Sequence, residues 1–284
     1  MKKLKNALVA LVLVFCTFAL VACGGKAQLD QEASVSKKGF VASNKEEVAA
    51  VFEGDTTPEE FETTKFQATM TMKGTTTMGG ISVTMDILMN MYITCDEQGE
   101  PTSFAIKLKS GDDFVTNIYF QDKNAYFYCK SEKTELKYKM PLDPTSDKPL
   151  TSVASIVSMS SAIPSLAQLA FSNAFDVEIE GMKFEKAIKG DNARYHIAYT
   201  QPKSETEKEA TYNLYIQLNK NTISAIEANV ESDGINAKMA ASQFNGEIKF
   251  PSFKDYKEAS ELEMTVLNTQ IDAILKSING GIDL

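Results

Sequence analysis

The sequence predicts an α+β protein built on one large, curved antiparallel sheet with helices packed on its face. Three observations carry that expectation. From Ile81 to Cys95 every odd position is apolar or a thiol and the even positions are mostly polar, a period of two that sets one side of a strand against apolar groups and the other largely against water. At about 3.4 Å per residue such a strand runs roughly 50 Å, far beyond the usual five or six residues, and strands of that length belong to large curled sheets. Around it lie two series of alternating segments separated by turn residues, with a stretch of helical character between them and another after them.

The chain opens with Lys2, Lys3 and Lys5 ahead of an apolar run from Ala7 to about Ala22. That run is shorter than the 18 or so residues of a spanning helix and reads as an export signal. It ends Leu20-Val21-Ala22-Cys23, followed by Gly24 and Gly25. This resembles the lipobox of bacterial lipoproteins. The resemblance implies cleavage after Ala22, a diacylglycerol on Cys23, and a protein tethered to the extracytoplasmic face of the cell membrane. Two acyl chains anchor stably where one does not, each buried methylene contributing about 0.8 kcal/mol. An uncleaved anchor, or an ordinary secretory signal with Cys23 a bystander, is the alternative.

Loss of residues 1–22 takes three lysines from a chain of net charge −9 and leaves the body more acidic still. Nucleic acid and anionic lipid require basic surface, so an acidic body argues against a nucleic-acid partner and for a domain held off the membrane. Cys95 and Cys129 remain in a setting where a disulfide persists; they either form one or stay buried thiols.

From Gly24 to about Ser43 the composition is Gly, Lys, Gln, Ser and Ala with little periodicity, which reads as a flexible tether reaching about 65 Å. A single domain is expected over 44–284. Asn44 caps a short helix carrying Val48, Ala49, Val51 and Phe52 and closing at Gly54, and Thr57-Pro58 starts another helical turn. Phe66, Ala68, Met70 and Met72 alternate along a strand, Lys73–Gly80 reads as a loop, and the long strand follows. Segments Phe104–Leu108, Phe114–Phe120 and Ala125–Cys129 complete a five-strand meander.

Pro141, Pro144 and Pro149 interrupt the pattern, and residues 151–171 read as two helical pieces broken near Pro164 and lying against the sheet. The alternative, a membrane-facing segment, is made poor by six serines and Pro164. Strands resume over Phe175–Glu180, Phe184–Ile188, Arg194–Thr200, Thr211–Asn219, Ile223–Val230, Ile235–Ala241 and Glu247–Phe250, with a charged loop at Gln201–Ala210. Leu262, Val266, Leu267, Ile271, Ile274 and Ile278 then form a helical stripe over about 260–279, stopped by Asn279-Gly280-Gly281.

Little catalytic chemistry is available. His196 is the only histidine, and a hydrolytic triad or zinc site would have to use it. Yet the chain holds no Gly-x-Ser-x-Gly elbow, His-Glu-x-x-His helix, Cys-x-x-Cys pair or glycine-rich phosphate loop. Carboxylates cluster as charge runs, such as Glu205, Glu207 and Glu209. The expectation is a non-enzymatic protein without metal or cofactor, and a hydrolase of unrecognised type, probed through His196 and nearby acids, is the least favoured reading. Methionine is the informative residue type. Six of the twelve, Met70, Met72, Met78, Met85, Met89 and Met91, fall in the first two strands and their loop, either filling a core or lining a cavity that adapts to apolar ligands.

With the lipobox at one end and two meanders around a helical insert, the chain resembles exported lipoproteins of the LolA/LolB and LppX/LprG type, over about Glu46 to Phe253 and at the level of element order; the terminal helix to Leu284 departs from that pattern. The resemblance implies an unclosed half-barrel whose concave face is plugged by helices and holds a lipid or acyl chain. The implied ligand-binding residues are Met70, Met72, Val83, Met85, Ile87, Met89 and Met91 on the sheet, with Ile156, Met159, Ile163 and Leu166 on the plug. The alternative is an envelope scaffold or interaction module, with Gln201–Ala210 contacting another envelope protein.

Overall fold

A computed structural model describes residues 28–52, 64–78, 81–97, 101–112, 114–131, 134–141, 181–203, 209–232, 234–266 and 269. Its centre is one open sheet of thirteen strands: β1 (Val41–Ser43), β2 (Lys65–Met78), β3 (Ile81–Cys95), β4 (Pro101–Ser110), β5 (Phe114–Gln121), β6 (Asn124–Ser131), β7 (Thr134–Pro141), β8 (Lys183–Lys189), β9 (Asn192–Gln201), β10 (Ala210–Asn219), β11 (Thr222–Ser232), β12 (Ile235–Gln243) and β13 (Lys257–Glu258). The order across the sheet is β1-β8-β9-β10-β11-β12-β2-β3-β4-β5-β6-β7-β13. Every pairing is antiparallel except the parallel β7–β13 contact.

Two meanders, β2–β7 and β8–β12, therefore lie side by side. The seam between them is β12 against β2, in register from Ile235↔Gly74 to Gln243↔Phe66. Gly74 has φ of 147°, and a Cβ there would stand 2.0 Å from the Gly234 carbonyl oxygen. Only glycine allows the two backbones to approach so closely.

Alternation gives the sheet two chemically different faces. On the first, Phe66, Met91, Ile106, Ile118, Phe127, Tyr195, Ile216 and Ile226 belong to one buried cluster that spans both meanders. The helix α1 (Lys45–Phe52) covers one end of it through Val48 and Ala49, and Ala259 and Met264 pack against it as well. Asn44 accepts from the Glu47 amide at 2.8 Å, the N-cap that the sequence calls for.

The second face is polar and is crossed by two extended segments. Residues 28–40 start over β3–β5, where Leu29 packs with Tyr92, Ala105 and Tyr119. They continue over β2, where Ala33 donates to Thr69 Oγ1 at 2.7 Å, and over β12 through the Glu32–Lys238 pair. They then cross β11 at Glu227, β10 at Tyr215 and β9 at Arg194, and end as edge strand β1. Residues 244–256 run the other way, Phe244 against Tyr92, Phe250 against Tyr119 and Phe253 stacked on Tyr126 at 3.7 Å, before ending as β13 on the opposite edge. Each segment thus shields an edge whose unpaired backbone would otherwise recruit other strands.

Several expectations change. The stretch Gly24–Ser43 is not a free tether throughout: from residue 28 it is packed, with Leu29, Ala33 and Val35 buried, because Asp30 and Glu32 pair with Lys107 and Lys238 and the Gln31 carbonyl accepts from Gln67 and Asn90 on the polar face. Lys73–Gly80 is not wholly a loop, since β2 runs on to Met78 opposite Ile81, threonine suiting a strand. Glu247–Phe250 is the crossing segment, not a strand. Strand β7 is additional to the expected meander. Of the two alternatives for Cys95 and Cys129, the unbridged one holds, with Cys129 buried and Cys95 only half-buried. The terminal helix begins at residue 261 with a Ser260–Glu263 capping box, the Glu263 carboxylate accepting from the Ser260 amide at 2.8 Å. Its stripe residue Leu262 is 75% exposed. The expected insert 151–171, the expected strand Phe175–Glu180, the turn at Thr57-Pro58 and residues 1–27 lie outside the described residues, as do Leu267, Ile271, Ile274 and Ile278 of the expected terminal stripe.

Candidate functional site

The apolar face is built from cross-strand rows whose exposure is graded from one end to the other. The deepest is Tyr195–Ile216–Ile226–Ala241–Ala68–Met91–Ile106–Ile118–Phe127, aligned by the register of nine neighbouring strands and buried throughout. Two residues along each strand lies Ile197–Leu214–Ala228–Met239–Met70–Met89–Leu108, of which Leu214, Ala228 and Met239 are half-buried. The next row is Tyr199–Tyr212–Val230–Ala237–Met72–Ile87. Tyr212 in it is 36% exposed and the other five are half-buried.

This outer row is a stripe of apolar and aromatic side chains across six adjacent strands, roughly 24 Å long at the usual strand spacing of about 4.8 Å. The Tyr199 and Tyr212 rings stack at one end with centroids 6.3 Å apart. At the other, the β2–β3 hairpin runs past its neighbours: β12 pairs with β2 only as far as Gly74 and β4 with β3 only from Ile87, so Thr75–Met78 pair with Ile81–Thr84 beyond both. Half-buried Met85 lies at the base of this projection, opposite Gly74.

The sheet residues predicted to face a ligand therefore divide. Met70, Met89 and Met91 are core residues, the last two at 0% exposure. Met72, Met85 and Ile87 sit on the half-buried rim. Val83 is in β3 opposite Thr76, and its side chain lies outside the described residues, as do Ile156, Met159, Ile163, Leu166 and Cys23. Tyr199, Tyr212, Val230 and Ala237 join the rim from the second meander. Their alternation is visible in the sequence, but the β12–β2 seam that aligns them with Met72 is not.

The polar face carries the other chemistry. His196 contacts Glu185 through Nδ1 at 2.6 Å and Asn213 through Nε2 at 3.0 Å, and its ring stacks on Tyr215 at 4.2 Å. With both nitrogens engaged and Phe40 against the ring at 5.7 Å, it serves to seat the crossing segment. Burial pushes the Tyr92 and Tyr119 phenols up to about 12 and raises the Cys129 thiol, so all three are neutral near pH 7. Between the crossing segments, over β4–β7, lies a cavity of about 380 Å³ floored by Lys107, Asn117 and Tyr128. Among the described residues no group of three or more His, Cys, Asp or Glu side chains is placed to share a metal ion. No helix among them is long and apolar enough to cross a membrane.

No protein-family model matches the chain, and no curated protein matches it.

Proposed function

We propose that this protein is a lipoprotein anchored through Cys23 at the extracytoplasmic face of a bacterial membrane, where it binds a hydrophobic ligand such as a lipid or acyl chain. The observation that carries the reading is the graded apolar face: a rim of Tyr199, Tyr212, Val230, Ala237, Met72 and Ile87, half-buried except for the exposed Tyr212, runs without a polar break into a buried interior of the same face. Side chains of this kind, unbranched or aromatic, conform to apolar guests of varied shape. An open sheet with helical cover on that face would then work as the half-barrel of the LolA/LolB and LppX/LprG type, Ile156, Met159, Ile163 and Leu166 forming its plug. The acidic body is unsuited to nucleic acid. No enzymatic role is proposed.

Native mass spectrometry of the body expressed without residues 1–23, followed by titration with a fluorescent fatty acid, tests the ligand. Co-purified lipid or saturable uptake is expected. Metabolic labelling with palmitate, lost in Cys23→Ser, tests the anchor separately. The complete burial of Met89 and Met91 favours a second reading, an anchored scaffold with a filled core. An empty mass spectrum together with no uptake would leave that one standing.

A further inference from the structure

We propose that the cavity between the two crossing segments is a second binding site, for a neutral carbohydrate. Its floor is one cross-strand row, Lys107–Asn117–Tyr128–Lys137, held in register by β4, β5, β6 and β7. Leu29 and Asp30 wall it on one side, Pro251, Ser252 and Tyr256 on the other. Its volume of about 380 Å³ is small for a drug-sized ligand and suited to one or two sugar rings.

Hydrogen-bonding capacity points to the ligand. Asn117 Nδ2 donates to the Tyr119 phenol at 3.2 Å, which leaves the phenol proton to be donated onward. Asn117 Oδ1 is buried with no partner, and a buried acceptor left bare costs about 1–3 kcal/mol, so it is a place where a ligand donor gains more than it would in water. A bare acceptor next to a free phenol proton is the complement of a hydroxyl group, which donates and accepts at once. Charge selects for neutrality: Lys107 is paired with Asp30 and Lys137 with Glu135 at 3.2 Å. An anion drawn to either lysine would meet a carboxylate, and a cation drawn to either carboxylate would meet a lysine. Burial raises the Tyr119, Tyr128 and Tyr256 phenols, so no phenolate charge enters the site. Tyr256 is fixed edge-on by Phe253 at 5.2 Å and Tyr126 at 5.7 Å, a rigid ring of the kind against which the C–H face of a sugar packs.

The site is remote from the apolar rim, on the opposite face of the sheet, and does not depend on the lipid reading. Purified full chain in detergent is offered methyl β-glucoside, methyl β-galactoside and diacetylchitobiose at millimolar concentration, with inorganic phosphate as the charged control, and binding is read by saturation-transfer difference NMR. At least one sugar is expected to bind, about tenfold more weakly or worse in Asn117→Leu, which removes the acceptor at similar volume. Ser252→Trp, at an exposed wall position, is expected to block the site whether or not Asn117→Leu folds. Absence of binding by all three sugars overturns the proposal. So does sugar binding that survives Ser252→Trp, and so does phosphate binding in place of the sugars.

Discussion

The Val35 amide donates to Glu227 Oε2 at 2.9 Å, joining residues 192 positions apart in the chain. Glu227 is 1% exposed, and its other oxygen accepts from Asn229 Nδ2 at 3.1 Å and pairs with Lys37 at 3.0 Å. A carboxylate projecting from the polar face of β11 thereby fastens the segment that runs from residue 28 to the edge strand.

Removing that carboxylate strands the Val35 amide and the Asn229 side chain. Glu227→Ala should lower the free energy of unfolding by about 2 kcal/mol, with the half-exposed Lys37 contributing little of it. Glu227→Gln, which keeps an acceptor for Val35, should cost about half as much. Urea denaturation of both variants decides this, and equal stability of Glu227→Ala and wild type would show that the crossing segment is not held there.

Gly74→Ala sets a methyl group against the Gly234 carbonyl in a left-handed conformation. Strain of about 1–3 kcal/mol adds to the clash, so the total loss should reach about 3 kcal/mol or more. Because the damage falls on the seam, hydrogen exchange should quicken first along β2 and β12. Uniform acceleration in all strands would argue against two meanders meeting at a vulnerable junction.

Rim and core methionines should respond oppositely. Met91→Ala empties a fully buried site and should destabilise by about 2–4 kcal/mol. Met72→Glu, at the half-buried rim, should leave the thermal transition within a few degrees of wild type yet weaken fatty-acid binding about tenfold. Unchanged binding by Met72→Glu would remove the rim from the ligand site.

Acid should loosen the start of the terminal helix. The Ser260 hydroxyl, the Ser260 amide and the Tyr138 phenol hold the Glu263 carboxyl at about 2, below its ordinary 4.5. A depressed folded-state value means that the contribution is complete above about 4.5 and is lost as pH falls toward 2. The melting temperature of wild type should exceed that of Glu263→Gln at pH 6 and converge on it near pH 2. A difference independent of pH would assign the effect to packing.

Strand identity was largely legible because alternation is local. Phe184, Ile197 and Ile226 announce their strands without any partner, and Asn44 announces its helix. Strand β7 carries the same signal in Leu136, Tyr138 and Met140, weakened by lysines between them whose long aliphatic stems tolerate either state. The candidate rim was legible only by half. Met72 and Ile87 stand out through their own strands, whereas Tyr199 and Tyr212 gain meaning only from a register reached across the seam.

Local periodicity alone determined that this protein is a large antiparallel sheet with one apolar and one polar face, because a side chain's face depends only on its parity along the strand. Which strands became neighbours, which methionines were sealed and which left open, and that residues 28–43 are bound rather than loose were decided by tertiary structure. Those outcomes rest on long-range backbone approach at Gly74, on a buried carboxylate at Glu227 and on the edges that β1 and β13 cover, contacts between parts of the chain too distant for any local pattern to encode.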